Sequence, residues 1–288
     1  MKLTFLCLGA AVVLGGGVMA ELPADSPSAD LMEMVQDSRC KQVVVTCLVN
    51  GQPMRMMLDT GASHTVLHNE SAASLQGVRW IDTTQMRFRG NALQKPDMLV
   101  ASLTVGPGDS PEHTFLVLDL SAVRASMVEQ IDGVLGMDVL GRLPFTFDQR
   151  SGEFYWGIPE KAKAVPLNGK FDRFGRFIVL AECQGKVLEL LLDTGSSVTR
   201  VRPDMWLRGC SGESSALVGD VNAAARVRVQ MGKPADLLVA PGVVLHGVEP
   251  LLDASGQPPI LGMDALKEAA LIHEPVQNSP HGVFLMAK

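Results

Sequence analysis

Apolar and polar positions along this chain follow strand spacing and fall into one pattern that occurs twice. Residues 43–49 and 177–183 are short runs rich in branched side chains, the composition that suits a pleated surface. Each is followed by a glycine, Gly51 or Gly185, placed where a hairpin turns, and then by a second apolar run, Met56-Met57-Leu58 or Leu190-Leu191-Leu192. The pattern predicts two hairpins whose second strands end at Asp59 and Asp193. Further strands are expected over 85–89, 98–105 and 113–120, separated by the turn signals Gly90-Asn91 and Gly106-Pro107-Gly108-Asp109. Residues 145–148 and 153–156 should close the first half as a hairpin, and 270–273 with 283–286 should close the second comparably. A short helix, capped by Ser28 or Asp30, is expected to run through Gln36.

The repeat extends to the residues that end each hairpin. Leu58-Asp59-Thr60-Gly61-Ala62-Ser63 returns as Leu192-Asp193-Thr194-Gly195-Ser196-Ser197, an offset of 134 residues. Downstream, Val134-Leu135-Gly136-Met137-Asp138 is matched by Ile260-Leu261-Gly262-Met263-Asp264, at a somewhat shorter spacing from its aspartate. Shortened loops between retained elements account for the difference, so the chain reads as an internal duplication.

Asp-Thr-Gly-Ala/Ser-Ser followed by an apolar-apolar-Gly segment resembles the pepsin and retropepsin superfamily of aspartic proteases, with both lobes in one chain and the resemblance running over roughly 38–288. It implies an all-β, bilobal fold of two duplicated β-barrel-like lobes with the active site in the cleft between them. The boundaries expected are a signal peptide at 1–20, a linker or short pro-segment at 21–37, a first lobe at 38–157, a connection at 158–172 and a second lobe at 173–288. The resemblance also implies a catalytic pair, Asp59 and Asp193, supported by Thr60, Gly61, Ser63, Thr194, Gly195, Ser196 and Ser197. The Thr60 and Thr194 hydroxyls are expected to bond across to the opposite lobe, and Gly136 and Gly262 to pack behind the aspartate loops. Flap tips are expected at Gly90 and Asn91 and at Gly219 and Asp220. One departure is plain: the only tyrosine is Tyr155, far past the expected flap, so the flap tyrosine of pepsins is absent.

The implied chemistry has a physical basis in the residues themselves. Hydrolysing a peptide bond without metal or covalent intermediate needs a base to activate water and an acid to protonate first the carbonyl oxygen and then the amine. Two carboxyls about 3 Å apart do both, because they cannot both ionise and so share one proton. Ala62 and Ser196 occupy equivalent places, so a Ser196 hydroxyl donating to Asp193 would favour charge there and leave the proton on Asp59.

Composition narrows the alternatives. The 288 residues are 47% hydrophobic and 19% charged with a net charge of −6, which describes a globular protein and argues against a nucleic-acid partner. The alternating pairs Arg87/Arg89, Arg200/Arg202 and Arg226/Arg228 read as solvent faces of strands. Residues 1–20 combine Lys2, an apolar stretch and Val18-Met19-Ala20, the signature of a cleaved secretory signal. An uncleaved anchor and lipidation at Cys7 are the rivals. Export to a periplasm or beyond follows from the first, with no stable membrane association after cleavage. Removing Cys7 leaves Cys40, Cys47, Cys183 and Cys210, which allow three pairings or buried free thiols.

His64 and His68 have helical ligand spacing, but a strand is expected there and would separate them, so no metal site and no cofactor are expected. Asp138 and Asp264 read as turn or helix-start residues. The expected activity is therefore that of an exported, monomeric aspartic endopeptidase acting on protein or peptide substrates. Two alternatives are a noncatalytic peptide-binding protein of the same fold and a protease that processes only itself or one partner. Cleavage within the linker would mark the last.

Overall fold

A computed structural model describes residues 35–36, 42–82, 86–87, 93–94, 96–125, 127, 130–158, 164–219, 224–254, 256–275 and 282–286. The expected signal segment, most of the linker, Cys7, Cys40, Gly90, Asn91 and Asp220 lie outside them.

Both predicted hairpins form. Val43–Val49 pairs antiparallel with Gln52–Leu58, and Phe177–Cys183 with Lys186–Leu192. Their turns use the left-handed region at Asn50 and Gly51 and again at Gln184 and Gly185, which explains the glycine in each. The apolar-apolar-Gly segments enter from far along the chain. Gly133–Leu135 lies parallel to Gln52–Leu58 and antiparallel to Val66–His68; Ile260–Leu261 lies parallel to Lys186–Leu192 and antiparallel to Arg200–Val201. Each aspartate strand is thus flanked on one side by its hairpin partner and on the other by a buried strand that no turn connects to it.

In the first half these strands close on themselves. Val66–His68 pairs with Gly108–Leu118, that strand with Asp97–Val105, and Asp97–Val105 returns to Val43–Val49 through Leu48 opposite Thr104 and Val49 opposite Leu103. The result is a six-stranded barrel that leaves few free edges. The second half builds a larger open sheet around Phe177–Cys183 and Lys186–Leu192, extended by the long hairpin of Cys210–Gly219 and Ala224–Gly232. The fold is all-β and bilobal, as the resemblance implied.

Four features depart from the sequence reading. The two terminal hairpins do not close the lobes separately: Phe145–Asp148 pairs with Ala270–His273, giving one five-stranded sheet that joins both halves. Val35–Gln36 is not helical but pairs with Val43 and Val44, where a free strand edge competes for its backbone groups. The strand expected from 113 begins at Gly108, because only Gly106-Pro107 are needed to turn. Arg200 is not on a solvent face. It is among the largest fully buried side chains, paired with Asp253 at 3.1 Å and donating to the Pro258 carbonyl, whereas Arg202 is exposed. Its strand is only two residues long, so alternation does not carry on to Arg202.

The shared sheet forms a floor beneath the cleft. His273 stacks on Phe145, with ring centroids 4.9 Å apart and planes at 13°, and both line a small cavity together with Thr60 and Leu192. The floor therefore reaches the loops that carry the aspartates.

Candidate active site

Asp59 and Asp193 each leave their strand at the same point, and each is held there by the neighbouring buried strand. The Asp59 N–H donates to the Leu135 carbonyl and the Asp193 N–H to the Leu261 carbonyl, both at 3.0 Å. One residue past each glycine the chain returns the contact: Met137 N–H donates to Ala62 O and Met263 N–H to Ser196 O, both at 2.9 Å. Gly136 and Gly262 are required by this closeness. A Cβ on Gly136 would meet the His64 backbone at 2.5 Å, and one on Gly262 the Val198 backbone at 2.3 Å.

Thr60 and Thr194 lock the two loops to each other. The Thr60 N–H donates to Thr194 Oγ1 and the Thr194 N–H to Thr60 Oγ1, both at 3.1 Å. Each hydroxyl then donates onward, Thr60 to the Leu192 carbonyl at 2.8 Å and Thr194 to the Leu58 carbonyl at 3.0 Å. These four bonds across one interface engage the backbone N–H and the hydroxyl of both threonines. The loops cannot slide past one another without breaking buried hydrogen bonds.

This lock sets each glycine against the opposite carboxyl. A Cβ on Gly61 would stand 2.6 Å from Asp193 Cγ, and one on Gly195 2.5 Å from Asp59 Cγ. Both carboxyls are completely buried. Asp59 Oδ1 accepts from the Gly61 and Ala62 N–H groups at 2.8 and 2.9 Å. Burial and the facing Asp193 nevertheless push Asp59 well above the ordinary carboxylate range, outweighing those two donors. The arrangement favours a proton on Asp59. The Ser196 hydroxyl is not its origin, since its one proton is directed to the Val198 carbonyl at 2.9 Å.

Of the other expected residues, Ser63 is buried with its hydroxyl 2.9 Å from His64 Nδ1, and Ser197 stands half-buried in its loop. Gly219 ends the first strand of the long second-lobe hairpin, opposite Ala224, beside the undescribed Asp220. Gly90 and Asn91 fall between Met86–Arg87 and Leu93–Gln94, which pair as a small hairpin. His68 is part of a strand and its Nδ1 accepts from the Leu120 N–H, so it does not pair with His64 around a metal. No metal-holding cluster occurs among the described residues.

A second duplicated set escaped the sequence reading. Thr65 Oγ1 donates to Asp138 Oδ1 at 2.8 Å and accepts from Gly136 N–H at 3.2 Å; Thr199 Oγ1 donates to Asp264 Oδ1 at 2.7 Å and accepts from Gly262 N–H at 3.1 Å. Each aspartate also accepts the backbone N–H of its threonine. Thr65 and Thr199 are separated by the same offset as Asp59 and Asp193, the signal that could have found them. Asp138 and Asp264 are thus ties behind the aspartate loops. Valine at Thr65 should leave the Gly136 N–H and an Asp138 oxygen unsatisfied, costing about 2 kcal/mol in urea unfolding; an unchanged midpoint would remove this role.

The ties differ in their surroundings. Burial would raise Asp138, but His113, whose Nε2 lies 3.5 Å from Oδ2, and the Thr65 donors hold it below the ordinary range. Burial does raise Asp264, to about 6, against the Thr199 donors.

Comparison with known proteins accords with this geometry. Residues 45–139 match the model of the aspartyl protease family. No curated protein matches the sequence. Among solved structures, conglutin gamma, a unique basic 7S globulin from lupine seeds, aligns with 91% of this chain and 96% of its own at a TM-score of 0.51 and 10% identity, a likeness of fold alone. The segment 45–139, with Asp59 and its loop, is therefore similar to the aspartyl protease family, and the chain as a whole has an all-β, bilobal fold.

Proposed function

We propose that this chain is an exported aspartic endopeptidase in which Asp59 and Asp193 act as one catalytic pair. The observation that carries the reading is the crossed packing: each carboxyl lies against the glycine of the opposite loop, and four threonine hydrogen bonds hold the loops there. Asp193 serves as the base that takes a proton from water, and Asp59, kept protonated by burial and by its neighbour, donates to the scissile carbonyl oxygen. Asp193 then passes the proton it took from water to the amide nitrogen, and a hydroxyl of the tetrahedral diol gives its proton back to Asp59. The C–N bond breaks to release amine and carboxylic acid. No covalent intermediate is needed.

A substrate lying extended across the cleft would add strand-like hydrogen bonds to the hairpins on either side. Export rests on the signal-like residues 1–20; no helix among the described residues is long and apolar enough to cross a membrane. Fold by itself does not decide activity, since a structure of like fold is described as a seed globulin.

The test is cleavage of a peptide library between about pH 3 and 7 by the chain lacking residues 1–20, with a transition-state-mimicking inhibitor in parallel. Inhibitable cleavage of many peptides is the expected result. A folded protein that binds peptides and cuts none would instead be a peptide-binding protein. Cleavage confined to its own linker would mark a self-processing enzyme.

A further inference from the structure

Gln42 and Arg176 are separated by the same offset as the two aspartates, and each immediately precedes the first strand of its hairpin. Both side chains cross to the other lobe. Gln42, 2% exposed, donates from Nε2 to the Gly195 carbonyl, and Arg176 donates from Nη1 to the Gly61 carbonyl at 3.2 Å. The duplicated frame thus contains a second crossed pair, one neutral and one cationic.

The Arg176 side chain is held in place before it reaches the cleft. Asp172 Oδ2 accepts from its Nε and Nη2 at 2.8 and 2.6 Å, while Asp172 Oδ1 accepts the Phe174 and Arg176 N–H groups at 2.8 and 3.0 Å. The guanidinium also lies 5.3 Å from the centre of the Phe174 ring. Only one donor direction remains in use toward the first lobe, and it ends on Gly61.

The Gly61 carbonyl and the Ala62 N–H are the two ends of one peptide group. That N–H donates to Asp59 Oδ1 at 2.9 Å. A cation bonded to the oxygen end polarises the peptide and strengthens donation from the nitrogen end. We infer that Arg176 is a positioning residue that reaches across from the second lobe and sets the proton affinity of Asp59 through the Gly61–Ala62 peptide, while Gln42 supplies the equivalent contact to Gly195 without a charge. The resulting asymmetry stabilises charge on Asp59, opposite in sign to the one that a Ser196 donor to Asp193 would give.

Several other groups face this path and stay unchanged in the test. Asp193 faces Asp59, Asp172 faces the guanidinium, and His64 lies within the influence of Asp138, His113 and Arg176. The effect of Arg176 opposes those of burial and of Asp193, so the cation keeps Asp59 able to ionise during the catalytic cycle.

This inference rests on the paired-aspartate reading, and its test separates the two. The protein without residues 1–20, labelled with ¹³C at aspartate carboxyls, is titrated as wild type, Arg176→Gln and Arg176→Lys, with Asp59→Asn identifying the signal. Arg176→Gln installs the residue that already serves at Gln42. It should raise the Asp59 midpoint by about half a unit to one unit and move the alkaline limb of peptide cleavage, where the acid loses its proton, upward equally. Arg176→Lys should shift both by less. An unchanged Asp59 midpoint in folded Arg176→Gln would overturn the inference. If that variant did not fold, an unchanged midpoint in Arg176→Lys would do the same, because the shorter side chain withdraws the donor from Gly61. Wild type that titrates as expected yet cleaves nothing would remove the protease reading and leave this one standing.

Discussion

Replacing either Asp59 or Asp193 with asparagine is expected to lower peptide cleavage by about four orders of magnitude at every pH, without loss of stability. The two effects separate because chemistry and folding use the carboxyls in opposite ways. Catalysis needs one carboxylate and one carboxylic acid facing each other, and an amide can be neither base nor acid at that position. Folding gains nothing from the second charge. Asp59 has its pKa raised by burial first and by Asp193 next, so its ionised form is disfavoured in the folded protein. The sign follows directly: a folded pKa above the unfolded value of 3.8 means destabilisation that is fully present above the folded pKa and relieved as pH falls through it. Asparagine at 59 removes that term, while its amide oxygen still accepts from the Gly61 and Ala62 N–H groups. Urea unfolding at pH 7 should therefore give Asp59→Asn a midpoint equal to or above that of wild type. Retained cleavage in either variant would show that the pair does not carry the chemistry. Lost cleavage with lost stability would mean that the aspartates are structural.

Much of this site was legible because the duplication writes it twice. A strand composition, a turn glycine and Asp-Thr-Gly recur at one offset, so each copy supports the reading of the other, and both hairpins form where that pattern placed them. The limits have physical causes. Thr65 and Thr199 look like ordinary strand-edge residues, and their roles depend on Asp138 and Asp264, which arrive from 73 and 65 residues away. Arg200 occupies a two-residue strand in which a charged side chain is tolerated only because Asp253 and the Pro258 carbonyl meet it inside the fold. The sheet joining Phe145–Asp148 to Ala270–His273 is likewise a pairing between distant segments, which local alternation cannot announce. Gln42 and Arg176 share the diagnostic offset yet differ in residue type, so a search for repeated letters passes over them.

The second large effect expected is a pair of opposite changes in acid stability that nearly cancel in the wild-type protein. His273 is buried in the shared sheet with Nδ1 3.1 Å from the Leu143 carbonyl, and burial lowers its pKa from 6.5 to about 4. Between those values the unfolded chain binds a proton that the folded chain does not. Stability from this group is thus lost as pH falls from about 6.5 to about 4, by on the order of 3 kcal/mol. Asp264 has the reverse sign. Burial raises it from 3.8 to about 6, so the folded chain takes up its proton first, and stability is gained as pH falls from about 6 toward 3.8, again by on the order of 3 kcal/mol. Either term alone is a large share of a typical domain's net stability of about 5–15 kcal/mol. His273→Asn should therefore gain stability between pH 7 and 4 relative to wild type, and Asp264→Asn should lose it, whatever each substitution costs at pH 7. Asp59 also favours folding on acidification, but it is common to all three proteins and drops out of the differences. Urea unfolding at the two pH values reads both predictions. Parallel changes in all three proteins would mean that neither buried group titrates as its surroundings require. Opposite changes would show that the protonatable tie behind the cleft offsets the stability that the neutral histidine beneath it loses, across the acid range in which a paired-carboxyl enzyme works.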